Sequence, residues 1–178
     1  MPIKKGTADL GDLFKGATPV DRVFKGNDLV WQRGTVLYEE FPPHSTNGWI
    51  YAENGATIDA SPNTRLRVTT GGSLPGQVSV RGKQIYSGGA LETGNHEFRI
   101  TGLESFSTST IYVRLATTLG STSNQLFGQT YSDGAQWEQD QTIPFVMPEG
   151  VTALYLYVGV LFASNAWCEF TNLQLVKP

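Results

Sequence analysis

The chain has 178 residues, of which 39% are hydrophobic and 16% charged, with a formal net charge of −3. That balance suits a folded domain and supplies no cationic field, so neither nucleic acid nor membrane is expected as a partner. The one cysteine, Cys168, excludes an intrachain disulfide and a multi-cysteine metal centre, while 20 Gly and 9 Pro suit short strands and tight turns.

The first elements form a repeat of period ten. Ile3-Lys4-Lys5-Gly6 is followed by Leu10, Leu13-Phe14-Lys15-Gly16 by Val20, and Val23-Phe24-Lys25-Gly26 by Val30. Lys25-Gly26-Asn27-Asp28, set between apolar residues, predicts a β-hairpin, because glycine accepts the positive φ that a tight turn demands. A ten-residue unit buries no core alone, so its apolar face must pack on its own chain, a sister chain or another protein. Residues 1–33 therefore read as hairpin repeats for docking or oligomerisation. Phe14, Val20, Phe24, Val30 and Trp31 are the expected interface, since large aromatics dominate interfaces. The N-terminus carries no apolar run of the signal-peptide kind. The longest apolar stretch, residues 151–163, is too short to span a bilayer.

From residue 34 onward the pattern becomes short strands with period-two alternation. Residues 35–41 end at Pro42-Pro43. Residues 48–52 precede Glu53-Asn54-Gly55, with Trp49 and Tyr51 expected on one face, as core or rim. Residues 64–70 set Leu66 and Val68 against Arg65 and Arg67. Residues 77–81 set Val78 and Val80 against Ser79 and Arg81. Phe98 and Ile100 share a face in residues 97–101. Residues 110–116 set Ile111, Val113 and Leu115 against Tyr112 and Arg114. After Pro148-Glu149-Gly150, residues 152–162 set Leu154, Leu156, Val158, Val160 and Phe162 against Tyr155, Tyr157, Gly159 and Leu161. Residues 167–176 close the chain, and no window has a helical period. The fold class expected for residues 34–178 is an all-β antiparallel sandwich of jelly-roll topology, with a β-barrel as the alternative.

Sugar recognition on such a fold needs aromatic faces beside polar groups. Trp137 stands in the polar stretch Tyr131-Ser132-Asp133-Gly134-Ala135-Gln136-Trp137, so Trp137 and Tyr131 are candidates. Tyr155 and Tyr157 share the outside of a sheet. They either line a groove or lie beneath the hairpins or a neighbouring subunit. Trp49, Tyr51 and Trp167 complete the aromatic set. Asp59, Asp133, Glu138 and Asp140 carry the oxygens a calcium ion takes, but no spacing resembles an EF-hand loop, and no metal or cofactor is expected. His44 and His96 are far apart in sequence. Glu39-Glu40 point to opposite faces of a strand, and no catalytic constellation is visible. Arg65, Arg67, Arg81, Arg99 and Arg114 read as a solvated or interfacial sheet face, and Cys168 as a small apolar core residue.

Two stretches resemble known families. Val23-Phe24-Lys25-Gly26-Asn27-Asp28-Leu29-Val30-Trp31 is similar to short repeats at the start of many bacteriophage structural proteins, especially tail and fibre components. Thr142-Ile143-Pro144-Phe145-Val146-Met147-Pro148-Glu149-Gly150-Val151 resembles a segment of carbohydrate-binding-module-like jelly rolls, and Phe170-Thr171-Asn172-Leu173-Gln174-Leu175 resembles their closing strand. Ile85-Tyr86-Ser87-Gly88-Gly89-Ala90 and His96-Glu97-Phe98-Arg99-Ile100 suit the middle strands of the same fold. Thr171 stands where that family often has Asp, which removes one oxygen from any calcium site there. The resemblances imply a non-enzymatic virion component, docked on other virion proteins and sister subunits through its N-terminal segment. They imply a homo-oligomer, with a trimer as the leading form, that displays a β-sandwich in a fibre, spike, tail or capsid-decoration role. The alternative is an adhesin module that binds host surface glycan.

Overall fold

The computed structural model describes residues 35–40, 45–60, 65–70, 78–105, 110–120, 124–132, 139–161 and 166–178, with the backbone of six short strands ahead of residue 33. Those six are β1 (Lys4–Lys5), β2 (Ala8–Asp9), β3 (Leu13–Lys15), β4 (Thr18–Val20), β5 (Arg22–Lys25) and β6 (Asp28–Gln32). They pair as three antiparallel hairpins, β1 with β2, β3 with β4 and β5 with β6. Lys5 faces Ala8, Lys15 faces Thr18 and Lys25 faces Asp28. The residues left between the paired ends are therefore Gly6-Thr7, Gly16-Ala17 and Gly26-Asn27. The side chains of Phe14, Val20, Phe24, Val30 and Trp31 lie outside the described residues.

The remaining strands are β7 (Thr35–Glu40), β8 (Tyr51–Ala52), β9 (Thr57–Asp59), β10 (Leu66–Thr69), β11 (Val78–Ser87) and β12 (Gly94–Ser105). They continue as β13 (Thr110–Ala116), β14 (Gln125–Ser132), β15 (Gln139–Met147), β16 (Ala153–Leu161), β17 (Trp167–Phe170) and β18 (Asn172–Lys177). One sheet runs β7-β18-β12-β17-β10-β9, with β15 on the other edge of β12; the second runs β14-β13-β16-β11-β8. All their ladders are antiparallel. The described residues contain no helix. The architecture is an antiparallel β-sandwich.

The larger sheet turns a corner within one pair of strands. The first half of β12 pairs with β18, and its last two residues pair with β17. The change falls at Gly102, whose φ of +66° suits glycine, and the ladder with β15 shifts register between Ile100 and Leu103. The Asp140 carboxylate accepts the Gly102 N–H at 3.1 Å, and the Thr171 N–H donates to the Thr101 carbonyl at 2.9 Å. Asp140, a candidate calcium oxygen by sequence, thus satisfies a backbone donor at the bend. Other turns keep their sequence chemistry. Asn54 and Gly55 have φ of 49° and 69°, the two positive values of a type I′ turn, closed by the Ala56 N–H on the Glu53 carbonyl at 3.1 Å.

Between the sheets lie Leu66, Val68, Phe98, Ile100, Leu154 and Leu173 with their neighbours, each essentially without solvent exposure. Cys168 joins them fully buried. Burial, and then the neighbouring Glu169 charge, push its thiol well above the ordinary range. It is an inert core residue. On the outside of the larger sheet, Glu169 accepts ion pairs from Arg65 at 3.0 Å and Arg67 at 2.8 Å, and Arg67 lies 4.3 Å from the centre of the Trp167 ring.

Val78 and Val80 share a face opposite Ser79 and Arg81, as their alternation predicts, and that face is the outer one, where Val80 is fully buried. Its register partner is Gly159, so it lies on the outer side with Tyr157, while Ser79 and Arg81 turn inward at the sandwich edge. The physical reason is the loop of residues 53–56 and the stretch before it. Their carbonyls need donors, and Arg81 donates to the Trp49 and Ala56 oxygens while Ser79 donates to Asn54. The expectation that Trp49 and Tyr51 share a face is corrected. Trp49 is 1% exposed in the main core, 5.8 Å from the Phe170 ring, whereas Tyr51 packs outside the smaller sheet.

Candidate functional site

The five-stranded sheet carries a second apolar layer on its outer face. Alternation in β16 sends Leu154, Leu156, Val158 and Val160 inward, so Tyr155, Tyr157 and Gly159 point out. Alternation in β13 sends Tyr112, Arg114 and Ala116 to the same side, opposite Gly159, Tyr157 and Tyr155 respectively. From β11 come Val80 and Gly82, and from β8 comes Tyr51, which pairs with Gly82. Val80, Ala116 and Tyr157 form the buried floor; Tyr51, Tyr112 and Tyr155 pack on it half-exposed.

Glycine makes room for this arrangement. A Cβ on Gly82 would stand 2.7 Å from two ring carbons of Tyr157 and 3.1 Å from Tyr51 Cβ. The Tyr157 ring therefore lies flat across the backbone of β11. Tyr51 meets it edge-on, with ring centres 5.2 Å apart. Gly120, with φ of +72°, approaches the Tyr51 ring from the β13–β14 turn and donates its N–H to Tyr157 Oη at 2.7 Å. Tyr51 Oη donates to Glu53 Oε1 at 2.7 Å.

The electrostatics follow. Burial, then the hydrogen bond to Glu53 and its charge, push the Tyr51 phenol up to about 12 from 10.0. Burial also raises Tyr157, against the opposing pull of the Gly120 N–H and Arg114. A raised phenol favours the neutral form in the folded chain, so its contribution to stability is present below pH 10 and lost as pH rises through about 12. Alkaline titration followed by phenolate absorbance is expected to show a late step near pH 12 that Tyr51→Phe removes. Ionisation of every tyrosine in the ordinary range would contradict this geometry.

Arg114 is the one cation on this face among the described residues. It is 2% exposed, with its guanidinium carbon 4.1 Å from the Tyr157 ring centre and 6.0 Å from that of Tyr112. Its cross-strand partner on β14 is Gly128, which is exposed. A Cβ on Gly128 would come within 3.2 Å of both Tyr112 Oη and Gln125 Oε1.

The sequence candidates separate in space. Tyr155 and Tyr157 do lie together on the outer face. Tyr157 is covered by its own chain's side chains, without need of a neighbouring subunit. Tyr131 pairs with Ile111 and packs half-buried against the main core, away from them; burial raises its phenol. Trp137 lies outside the described residues. Tyr51 belonged to the aromatic set of the sequence; Tyr112 and Arg114 are the members that sequence reasoning missed. Alternation already set Tyr112 and Arg114 opposite Ile111 and Val113, but only the pairing of β13 with β16 brings them to the tyrosines. A cleft of about 500 Å³ near Asn95, His96, Pro144, Phe145 and Pro178 is the rival site. It offers one aromatic side chain and a histidine, and its Glu97 is held by Arg99 at 2.7 Å.

No protein-family model matches the chain, and no curated protein matches it. Solved structures do. A family 4 carbohydrate-binding module superposes with a TM-score of 0.53 at 14% identity, covering 70% of this chain and 79% of that one. The enzymatically active domain of bacteriophage CBA120 tailspike protein 4 gives 0.51 at 11% identity, over 78% of this chain and 22% of that one. An arabinose-bound GH51 α-L-arabinofuranosidase gives 0.50 at 12% identity, over 80% and 25%. This chain thus spans about a quarter of each of those two larger proteins. The likeness is one of fold: the chain is an antiparallel jelly-roll sandwich of the kind found in carbohydrate-binding modules.

Proposed function

We propose that this chain is a non-catalytic glycan-binding module, and that the outer face of its five-stranded sheet holds the sugar. The observation that carries the reading is the layer of Tyr51, Tyr112 and Tyr155, half-exposed over a buried floor beside Arg114 and the backbone of Gly128. Flat rings match the apolar faces of pyranose units, and the phenols, Gln125 and the guanidinium supply hydrogen bonds for hydroxyls. The carbohydrate-binding-module neighbours support the reading through fold alone. Affinity electrophoresis against a panel of neutral and acidic polysaccharides tests it. Tyr112→Ala and Tyr155→Ala are each expected to weaken binding about tenfold, as loss of an aromatic anchor does. Retention of full affinity by both variants would place the sugar elsewhere.

A second reading concerns the N-terminus and is compatible with the first. Three hairpins with the same Lys-Gly register suit a docking device that mounts the sandwich on a larger particle. The resemblance of residues 23–31 to phage structural repeats supports a virion as that particle and a homo-oligomer as the docked form. Light scattering of the full chain beside residues 34–178 is expected to show an oligomer and a monomer respectively. Two monomers would remove the assembly role.

A further inference from the structure

The glycan class follows from one side chain, given the binding face proposed above. Among the described cations, Arg65, Arg67, Lys83, Arg99 and Lys177 each hold a carboxylate, and Arg81 donates to two loop carbonyls. Arg114 has no carboxylate partner among the described residues. Its Nε and Nη2 are both buried and without a hydrogen-bond partner. Leaving such donors unpaired is expensive. The Tyr157 ring 4.1 Å away offsets part of the charge but accepts no hydrogen bond along the guanidinium edge.

The two orphaned atoms matter as a pair. Nε and Nη2 form the side of the guanidinium whose parallel N–H bonds match the two oxygens of a carboxylate. The carboxylate of Glu53 is engaged by Tyr51 Oη. On the β14 side, Gly128 puts no side chain beside Arg114; the Tyr112 and Gln125 side chains lie over its backbone, and they are what a ligand must displace to reach the guanidinium. A neutral sugar would give the edge a hydroxyl, which accepts at one point and carries no charge. We infer that the face takes an acidic glycan, with the carboxylate of a uronic-acid unit seated side-on against Arg114 past the Tyr112 ring, while neighbouring sugars stack on the tyrosines.

The inference rests on the glycan-binding reading and is tested separately from it. The full chain is titrated calorimetrically with polygalacturonate, with the same polymer methyl-esterified, and with dextran sulfate. Polygalacturonate is expected to bind about tenfold or more tighter than its ester, with affinity falling as salt rises. Arg114→Met is expected to erase the difference between acid and ester. Equal binding of acid and ester by the unaltered chain overturns the inference and leaves glycan binding standing. So does binding of dextran sulfate alone. A charge preference that survives in Arg114→Met also overturns it. Should Arg114→Met fail to fold, the acid–ester comparison on the unaltered chain decides. Absence of binding to all three polymers and to the neutral panel removes both readings together.

Discussion

Replacing Gly159 by alanine is expected to destabilise the sandwich more than any other single-methyl addition on the outer face. Gly159 sits mid-strand in β16, opposite Val80. A Cβ built there would lie inside the van der Waals envelope of the Ser79 carbonyl oxygen, 2.6 Å from Val80 Cα and 2.7 Å from Val80 Cγ1. Two of those three atoms are backbone, so relief requires β11 to move away from β16 rather than one side chain to rotate. Overpacking of this kind costs about 3 kcal/mol, which in a domain of this size lowers Tm by roughly 6–12 °C. Calorimetry of Gly159→Ala checks it against Gly89→Ala, where nothing lies within 4 Å and no change is expected. Equal stability of the two variants would mean that β11 and β16 are further apart than described.

Trp49→Ala is expected to cost about 3–5 kcal/mol, as removal of a buried indole does. Trp49 is 1% exposed and packs on Phe170, which belongs to the opposite sheet. It is delivered to the core by an irregular segment, residues 45–50, ahead of β8. Its Nε1 is buried without a partner. Trp49→Phe therefore keeps a ring against Phe170, discards an unsatisfied donor, and is expected to lose much less. Denaturant unfolding of both variants measures the difference. Equal, small losses would show that the indole is not part of the core.

The unequal legibility of this chain has physical causes. A strand whose neighbours bury one face only, such as residues 66–69, wrote its orientation into its alternation. The Asn54-Gly55 turn was readable because positive φ restricts residue choice, and the hairpins because the same Lys-Gly pair recurs every ten residues. Residues 78–83 left the interior face open because β11 has two claims on it: outside, Val80 lies under aromatic rings, and inside, Arg81 answers loop carbonyls. Alternation reveals that two faces differ, and not which one is the interior. Trp49 and Tyr51 were paired by spacing, but residues 45–50 form no strand, so period two does not apply there. The site itself is spread over β8, β11, β13, β14 and β16, and no local pattern announces which strands are adjacent. Tyr155 and Tyr157 were visible, while Tyr51, Tyr112 and Arg114 became partners only through strand order.

The most direct measurement is NMR mapping of the full chain with an oligosaccharide of whichever panel polysaccharide binds. The account predicts amide shifts concentrated at Tyr51, Gly82, Tyr112, Arg114, Gly128 and Tyr155. Shifts clustered around His96 and Phe145, or around Arg67 and Trp167, would contradict it, as would a panel in which nothing binds.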